Sequence, residues 1–250
     1  MMKQATLPIF PELDINLMQG DCLELMSDIP DGSVDMIMAD PPYGTTACKW
    51  DSIIPLEPMW AHLKRVIKKN GAIVLTASQP FTTTLISSNM GMFKYCWVWI
   101  KEKGKGHLNC KIMPLKSVED VCVFYSHQVT YNPQFGHGAP YTKLNCNKQT
   151  LNKGVYGKVN VSNNTVNAGK RFPKTDLHFS GLQRTVHPTQ KPVALMEYLI
   201  KTYTNEGETV LDFCMGSGTT GVASRNLNRD FIGIEKDESY FEIAQERLDI

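Results

Sequence analysis

The chain has 250 residues, 42% of them hydrophobic and 20% charged, with a formal net charge of +1. That length and balance suit one α/β domain with a modest insertion and exclude a fully disordered chain or a miniature disulfide scaffold. Seven scattered cysteines with no C-x-x-C pair and six histidines away from zinc spacings give no metal site, and no stretch approaches the roughly 20 apolar residues of a membrane span.

Short apolar runs alternate with helix-like stretches, as in a mostly parallel sheet covered by helices. The N-terminus, Met1 to Pro8, lacks an apolar segment of signal length, so a cytoplasmic protein with reduced thiols is expected. Ile15–Gln19 reads as the first strand and runs into Gly20-Asp21. Met36–Ala39 reads as the second and runs into Asp40-Pro41-Pro42-Tyr43. Leu56–Lys69 is expected to be a helix stopped by Asn70-Gly71. Ala72–Thr76 is a strand and Pro80–Ser88 a helix. Tyr95–Ile100 and Asp120–Tyr125 lack a crossover-length helix between them, so an antiparallel pair at one sheet edge is expected. Lys191–Tyr203 is helical, with Pro192 tolerated in the first turn. Strand Thr209–Asp212, helix Thr219–Leu227, strand Phe231–Glu235 and helix Ser239–Leu248 complete the series.

Residues 126–186 break this pattern. The stretch is rich in Asn, Gly, Thr and Lys, and its eight basic residues face a single acid, Asp176. It therefore carries +7 and leaves the rest of the chain at about −6. Aromatic residues are interleaved: Tyr131, Phe135, Tyr141, Tyr156, Phe172 and Phe179. Two readings fit this composition: a solvated loop, or an insertion that orders against a phosphate backbone. On the second, Lys143, Lys148, Lys170, Arg171, Lys174 and Arg184 are the candidate backbone contacts.

The segment Asp40-Pro41-Pro42-Tyr43 has the form of a site that activates an exocyclic amine. Such an amine is a poor nucleophile because its lone pair is delocalised into the ring. Two acceptors aimed at its N–H groups favour the pyramidal form that can attack. The Asp40 carboxylate supplies one acceptor and the Pro41 carbonyl the other, with Pro42 restricting the residue before it. Tyr43 can stack on a base, and a base must leave its duplex to reach such a pocket. The bland alternative is a Pro-Pro turn closing a buried strand.

The second signal starts 170 residues after Asp40, in Val210-Leu211-Asp212-Phe213-Cys214-Met215-Gly216-Ser217-Gly218-Thr219-Thr220-Gly221. A strand ends in an acid, glycines make a tight turn, and a helix opens at Thr219. Glu235, 19 residues after Gly216, ends the next strand. It is placed there to accept from ribose hydroxyls, or is an ordinary strand-end carboxylate. This pattern fits a nicotinamide dinucleotide nearly as well as S-adenosyl-L-methionine; the amine site favours the latter. Asp21 reads either as an acceptor for the cofactor's adenine or as part of a plain turn. His187, Thr189 and Lys191, ahead of a helix, are candidates to dock the methionine carboxylate.

Together these segments resemble the β-type, permuted DNA amino-methyltransferases, which modify adenine N6 or cytosine N4. The resemblance rests on Gly20–Glu24, Asp40–Gly44, Glu119–Phe124, Tyr131–Gln134, His187–Pro192, Asp212–Gly221 and Phe231–Asp237. It implies a Rossmann-like fold with a seven-stranded sheet over a single domain, residues 1–250. It also implies S-adenosyl-L-methionine as donor, DNA as partner, and a target-recognition role for 126–186. Relatives of this look occur as phage-encoded or orphan enzymes and in restriction systems, so a homodimer and a cognate nuclease stay open as partners. Asp at the head of the amine motif is the more usual adenine form. Cytosine-N4 transfer and a non-catalytic DNA-binding subunit are the alternatives. One departure stands out: the family pattern Asp-Pro-Phe is here Asp212-Phe213-Cys214, which displaces an aromatic wall expected beside the cofactor.

Overall fold

The computed structural model describes residues 13–46, 48, 51–144, 164–180 and 190–249. The chain forms two compact units, one from Met1–Asn132 with Thr175–Ile250, the other from Pro133–Lys174.

The first unit is built on an eight-stranded sheet. In chain order its strands are β1 (Ile15–Gln19), β2 (Val34–Ala39), β3 (Ile67–Ala77), β4 (Phe93–Lys105), β5 (Lys116–Phe124), β10 (Asp176–His178), β11 (Thr209–Asp212) and β12 (Asp230–Glu235). The spatial order is β1-β12-β11-β2-β3-β5-β4-β10. All seven expected strands are present. The eighth, β10, pairs parallel with β4 through Asp176–His178 against Val98–Ile100. The antiparallel β4–β5 pair expected at the edge is therefore followed by one more strand. In this sheet only β5 runs against its neighbours.

β2 is buried along its length, and its alternating side chains feed two cores, as the two-residue strand period requires. Met36 and Met38 join Val74, Val123, Leu195, Leu199 and Tyr203. Ile37 and Ala39 join Ile73, Leu75, Met59, Leu63 and Phe124. Helices α2 (Leu56–Val66) and α3 (Phe81–Ser88) supply the second core. Helices α4 (Val193–Tyr203), α5 (Thr219–Asn226) and α6 (Glu238–Leu248) supply the first. Each fully buried Leu, Ile, Val, Met or Phe contributes about 1.5–3 kcal/mol relative to exposure.

α2 stops at Val66 rather than at Lys69. Ile67 is already extended, and β3 follows without a loop. Asn70-Gly71 is not a helix cap. It lies where β3 shifts register against β2, between the Val34–Ile67 and Met36–Ala72 pairs. Gly71 is needed because a Cβ there would come within 2.7 Å of the Asp35 carbonyl. The Asp35 carboxylate holds this region together, accepting from Lys68 Nζ at 2.7 Å and from the Thr209 amide at 3.0 Å.

β11 and β2 lie side by side and parallel, with Leu211 opposite Ile37. From β11 the chain passes through α5 to β12 on one side; from β2 it passes through α2 to β3 on the other. The β11–β2 seam is thus the point where strand order reverses, and the crevice beyond its carboxyl ends is where open α/β sheets take ligands. A short helix α1 (Cys22–Leu25) follows β1, capped by Asp21.

The smaller unit contains two antiparallel pairs of short strands. β6 (Gly136–His137) pairs with β9 (Lys170–Arg171), and β7 (Tyr141–Leu144) with β8 (Asn164–Asn167). Arg171 ties it internally: its guanidinium donates to Asn167 Oδ1 at 2.7 Å and to the Ala139 carbonyl, and stacks over Tyr141. Lys170 Nζ sits 3.5 Å from the centre of the Phe135 ring.

Candidate active site

A cleft of about 800 Å³ opens beyond the carboxyl ends of β1, β2, β11 and β12. Asp21, the Asp40–Tyr43 segment, the Asp212–Thr220 turn and Glu235 all line it, with Lys191. The two signals far apart in sequence therefore share one cavity. His187 and Thr189 lie outside the described residues, as do Lys148 and Arg184.

Asp40 leaves β2 at the seam. Its Oδ1 accepts from the Tyr43 hydroxyl at 2.6 Å and from Thr76 Oγ1, and its Oδ2 accepts from Lys191 Nζ. Lys191 is only 7% exposed and lies 3.5 Å from Glu119 Oε2, so one buried ammonium serves two carboxylates. Glu119 in turn accepts from Lys101. Burial pushes the Asp40 carboxyl up, but the Lys191 charge and the hydrogen bonds from Lys191, Thr76 and Tyr43 outweigh it. The group is held below its usual range. Burial likewise works against the Lys191 ammonium, and Asp40 and Glu119 reverse it, leaving Lys191 raised. Such a pair is stable only when both charges are matched and hydrogen-bonded.

Pro41 is buried and Tyr43 partly so. The Tyr43 ring stacks on Phe81 at 5.4 Å between centroids, with 22° between planes. Burial, with Asp40 and Glu119 nearby, keeps its hydroxyl protonated well beyond the usual range. The chain after Tyr43 is fixed by Asp51, whose carboxylate accepts from the amides of Gly44, Thr45 and Thr46 at 2.8, 2.9 and 2.6 Å.

The Asp212 carboxylate accepts from Thr220 Oγ1 at 2.6 Å and from the Cys214 amide at 3.1 Å. Burial lifts its pKa to about 7, against the pull of those hydrogen bonds. Gly216 and Gly218 both take left-handed backbone, with φ of 53° and 75°. A non-glycine residue would be strained at either. Glu235 Oε2 accepts from the Gly216 amide at 2.8 Å and Oε1 from the Asp237 amide at 2.8 Å, so the turn after β11 is bound to the end of β12. Burial raises the Glu235 pKa. Asp21 caps α1 through the Leu23 amide at 2.9 Å and pairs with Lys236 at 2.9 Å. Phe213, at 1% exposure, is part of the second core and also lines the cleft, while Tyr240 lines the cleft from α6. Burial pushes the Cys22 thiol up to about 11 and the Cys214 thiol well above its ordinary value, so neither cleft thiol ionises near neutral pH.

Sequence reasoning missed Thr76, Glu119, Lys101 and Asp51. Asp51 left a local trace, an acid shortly after the Pro-Pro turn, and Glu119 heads one of the segments that carry the family resemblance, though the sequence assigns neither a role in the site. Thr76 reaches Asp40 from β3, while Glu119 on β5 meets Lys191 and Lys101 on β4 meets Glu119. Among the described residues no cluster of His, Cys, Asp and Glu could hold a metal ion, and no helix is long and apolar enough to cross a membrane.

A family model described as DNA methylase matches residues 34–246. The chain is 27% identical over 250 residues to the Type II methyltransferase M.HpaI of Haemophilus parainfluenzae, spanning 95% of this chain and 75% of that one. It is 30% identical over 251 residues to the DNA adenine methyltransferase YhdJ of Escherichia coli (strain K12), spanning 94% and 82%. Among solved structures, the M1.HpyAVI–SAM complex matches with a TM-score of 0.66 and 27% identity over 94% of this chain and 100% of that one. Because the match runs from β2 into α6 and takes in the strand ends bearing Asp40, Asp212 and Glu235, this chain belongs to the N6-adenine/N4-cytosine family of DNA amino-methyltransferases.

Proposed function

We propose that this protein transfers a methyl group from S-adenosyl-L-methionine to the N6 amine of adenine in DNA, by direct attack of a flipped base. One observation carries the reading: Asp40, at the end of β2, and the Asp212–Thr220 turn, at the end of the adjacent β11, line one cleft.

The cleft fits the cofactor. Its volume is in the range of small-molecule sites, and its glycine turn lets backbone approach closely. Asp21, Asp212 and Glu235 supply carboxylates, while Phe213, Cys214, Gly216, Ser217, Thr219 and Thr220 form the wall; Gly218 shapes the turn behind it. When bound, the cofactor supplies an electrophilic methyl on a sulfonium.

Asp40 does the work on the acceptor side. Its Oδ1 already takes two donors, whereas Oδ2 takes one among the described residues, Lys191. A carboxylate oxygen has room for two donors, so Oδ2 is the acceptor for an incoming amine N–H, with the Pro41 carbonyl as the second. Asp40 also stabilises the positive charge that develops on nitrogen during attack. Lys191 keeps Asp40 ionised; we read it as a positioning residue rather than the dock for the methionine carboxylate. Tyr43 is fixed by Phe81 and Asp40, ready to stack on the base. Neither cleft thiol supports a thiolate nucleophile, which speaks against cytosine-C5 chemistry.

Adenine is favoured by the Asp at position 40 and by the name of the YhdJ relative. Cells expressing the chain should carry modified DNA whose sequencing gives the recognition sequence and whose nucleoside digest yields N6-methyladenine. N4-methylcytosine would instead assign the other amine, and the absence of both methylated bases would contradict the reading. Asp40→Ala should lower transfer about 10²–10³-fold or more.

A further inference from the structure

β4 and β5 are joined by a hairpin whose tip carries Leu108, Ile112 and Met113 at 101%, 80% and 51% exposure. This tip is tied by its own hydrogen bonds. His107–Asn109 forms a turn of 3-10 helix, and the amides of Ile112 and Met113 both donate to the Asn109 carbonyl at 3.0 Å. The arms close at Gly104, where a Cβ would lie 2.6 Å from Leu115 Cβ. Lys116 Nζ anchors one arm to the Gln79 carbonyl at 3.1 Å.

Three large apolar side chains on an exposed, built tip need an occupant. From Lys103 to Val118 there are four lysines (Lys103, Lys105, Lys111, Lys116) and no acid. A second copy docking tip to tip would set like charges together. A polyanion with an apolar interior satisfies both features. The arms also belong to the active cleft: Lys105, Lys116 and Val118 line it together with Asp40.

We propose that the 106–113 tip is a wedge for duplex DNA, its apolar side chains entering the base stack beside the flipped target while the flanking lysines hold phosphates. Unstacking wedges of Leu, Ile or Met are a known physical solution for opening a duplex, and extruding a base leaves a gap such a wedge can fill. The inference rests on the base-flipping reading above.

The test uses Leu108→Ser/Ile112→Ser/Met113→Ser on two duplexes bearing the sequence read from methylated cells. In one the target adenine is paired; in the other it faces an abasic position. The expected result is a fall in kcat/KM of about tenfold or more on the paired duplex and less than about twofold on the other, because the second is already open. Equal activity on the paired duplex overturns the wedge, and so does an equal loss on both, which means a structural role. Dissociation of a wild-type dimer by the same substitutions, with transfer unchanged, would assign the tip to a second copy. Wild-type protein inactive on both duplexes would instead overturn the parent reading.

Discussion

Lys191 shows how a residue's chemistry depends on partners far along the chain. Its ammonium meets Asp40 across 151 positions, and without it only the hydrogen bonds from Thr76 and Tyr43 would oppose the effect of burial on the Asp40 carboxyl. Burial raises a carboxyl pKa and a neighbouring cation lowers it. The ionised form of Asp40 is the active one, and activity is present above its pKa. Lys191→Met should therefore shift the acid limb of kcat to higher pH, while Lys191→Arg restores part of the original profile; rate measurements across pH decide this. A uniform loss at every pH with no shift would mean that Lys191 acts elsewhere. The Asp40–Tyr43 segment was legible because four residues of unusual chemistry stand together at a strand end. The Lys191 pairing was not, since a lysine just ahead of a helix N-terminus suggests an anion site in general and does not say which carboxylate folding will bring to it. Phe213 illustrates the same limit: its sequence position is fixed, but only the fold shows that it is core and cleft wall at once.

Elements were legible where burial imposes a period. The seven main strands follow from short apolar runs, and α4, α5 and α6 from apolar positions facing the sheet. Boundaries were less so: Asn70-Gly71 carries a helix-stop signal, yet close packing against Asp35 places that glycine inside β3. β6 to β9 and β10 are two to four residues long, too short for alternation to mark them. Arg229 is an element-level clamp of the same hidden kind. At 6% exposure it donates to Thr204 Oγ1 at 3.0 Å, to the Thr204 carbonyl at 2.9 Å and to the Leu227 carbonyl. It thereby joins the end of α4 to the start of β12. Arg229→Ala leaves buried carbonyls without donors, each costing about 1–3 kcal/mol. Urea unfolding should show a loss of about 2–4 kcal/mol with little effect on cofactor affinity. An unchanged midpoint would remove the clamp from the account.

At the scale of the whole molecule, net charge was uninformative and its distribution was not. The basic stretch stands out in sequence because its eight cations face a single acid, Asp176. Its internal use of Arg171 does not, because that depends on Asn167 and Tyr141 folding around it. Lys143, Lys170 and Lys174 are exposed. If they bind phosphates, replacing all three with Gln should reduce the slope of log affinity against log salt by about 2–3, at roughly 0.9 for each phosphate that is no longer neutralised. Fluorescence anisotropy over a salt series measures it, and an unaltered slope would remove these lysines from the DNA surface. The central claim is that donor methyl and acceptor nitrogen meet in front of Asp40. A crystal structure with sinefungin, whose amine stands where the methyl would be, tests it most directly. The account predicts its nucleoside end between Asp21 and Glu235, with that amine turned toward Asp40 and space for an amine nitrogen at about 3–3.5 Å. Sinefungin bound outside this cleft, or with its amine turned away from Asp40, would contradict it.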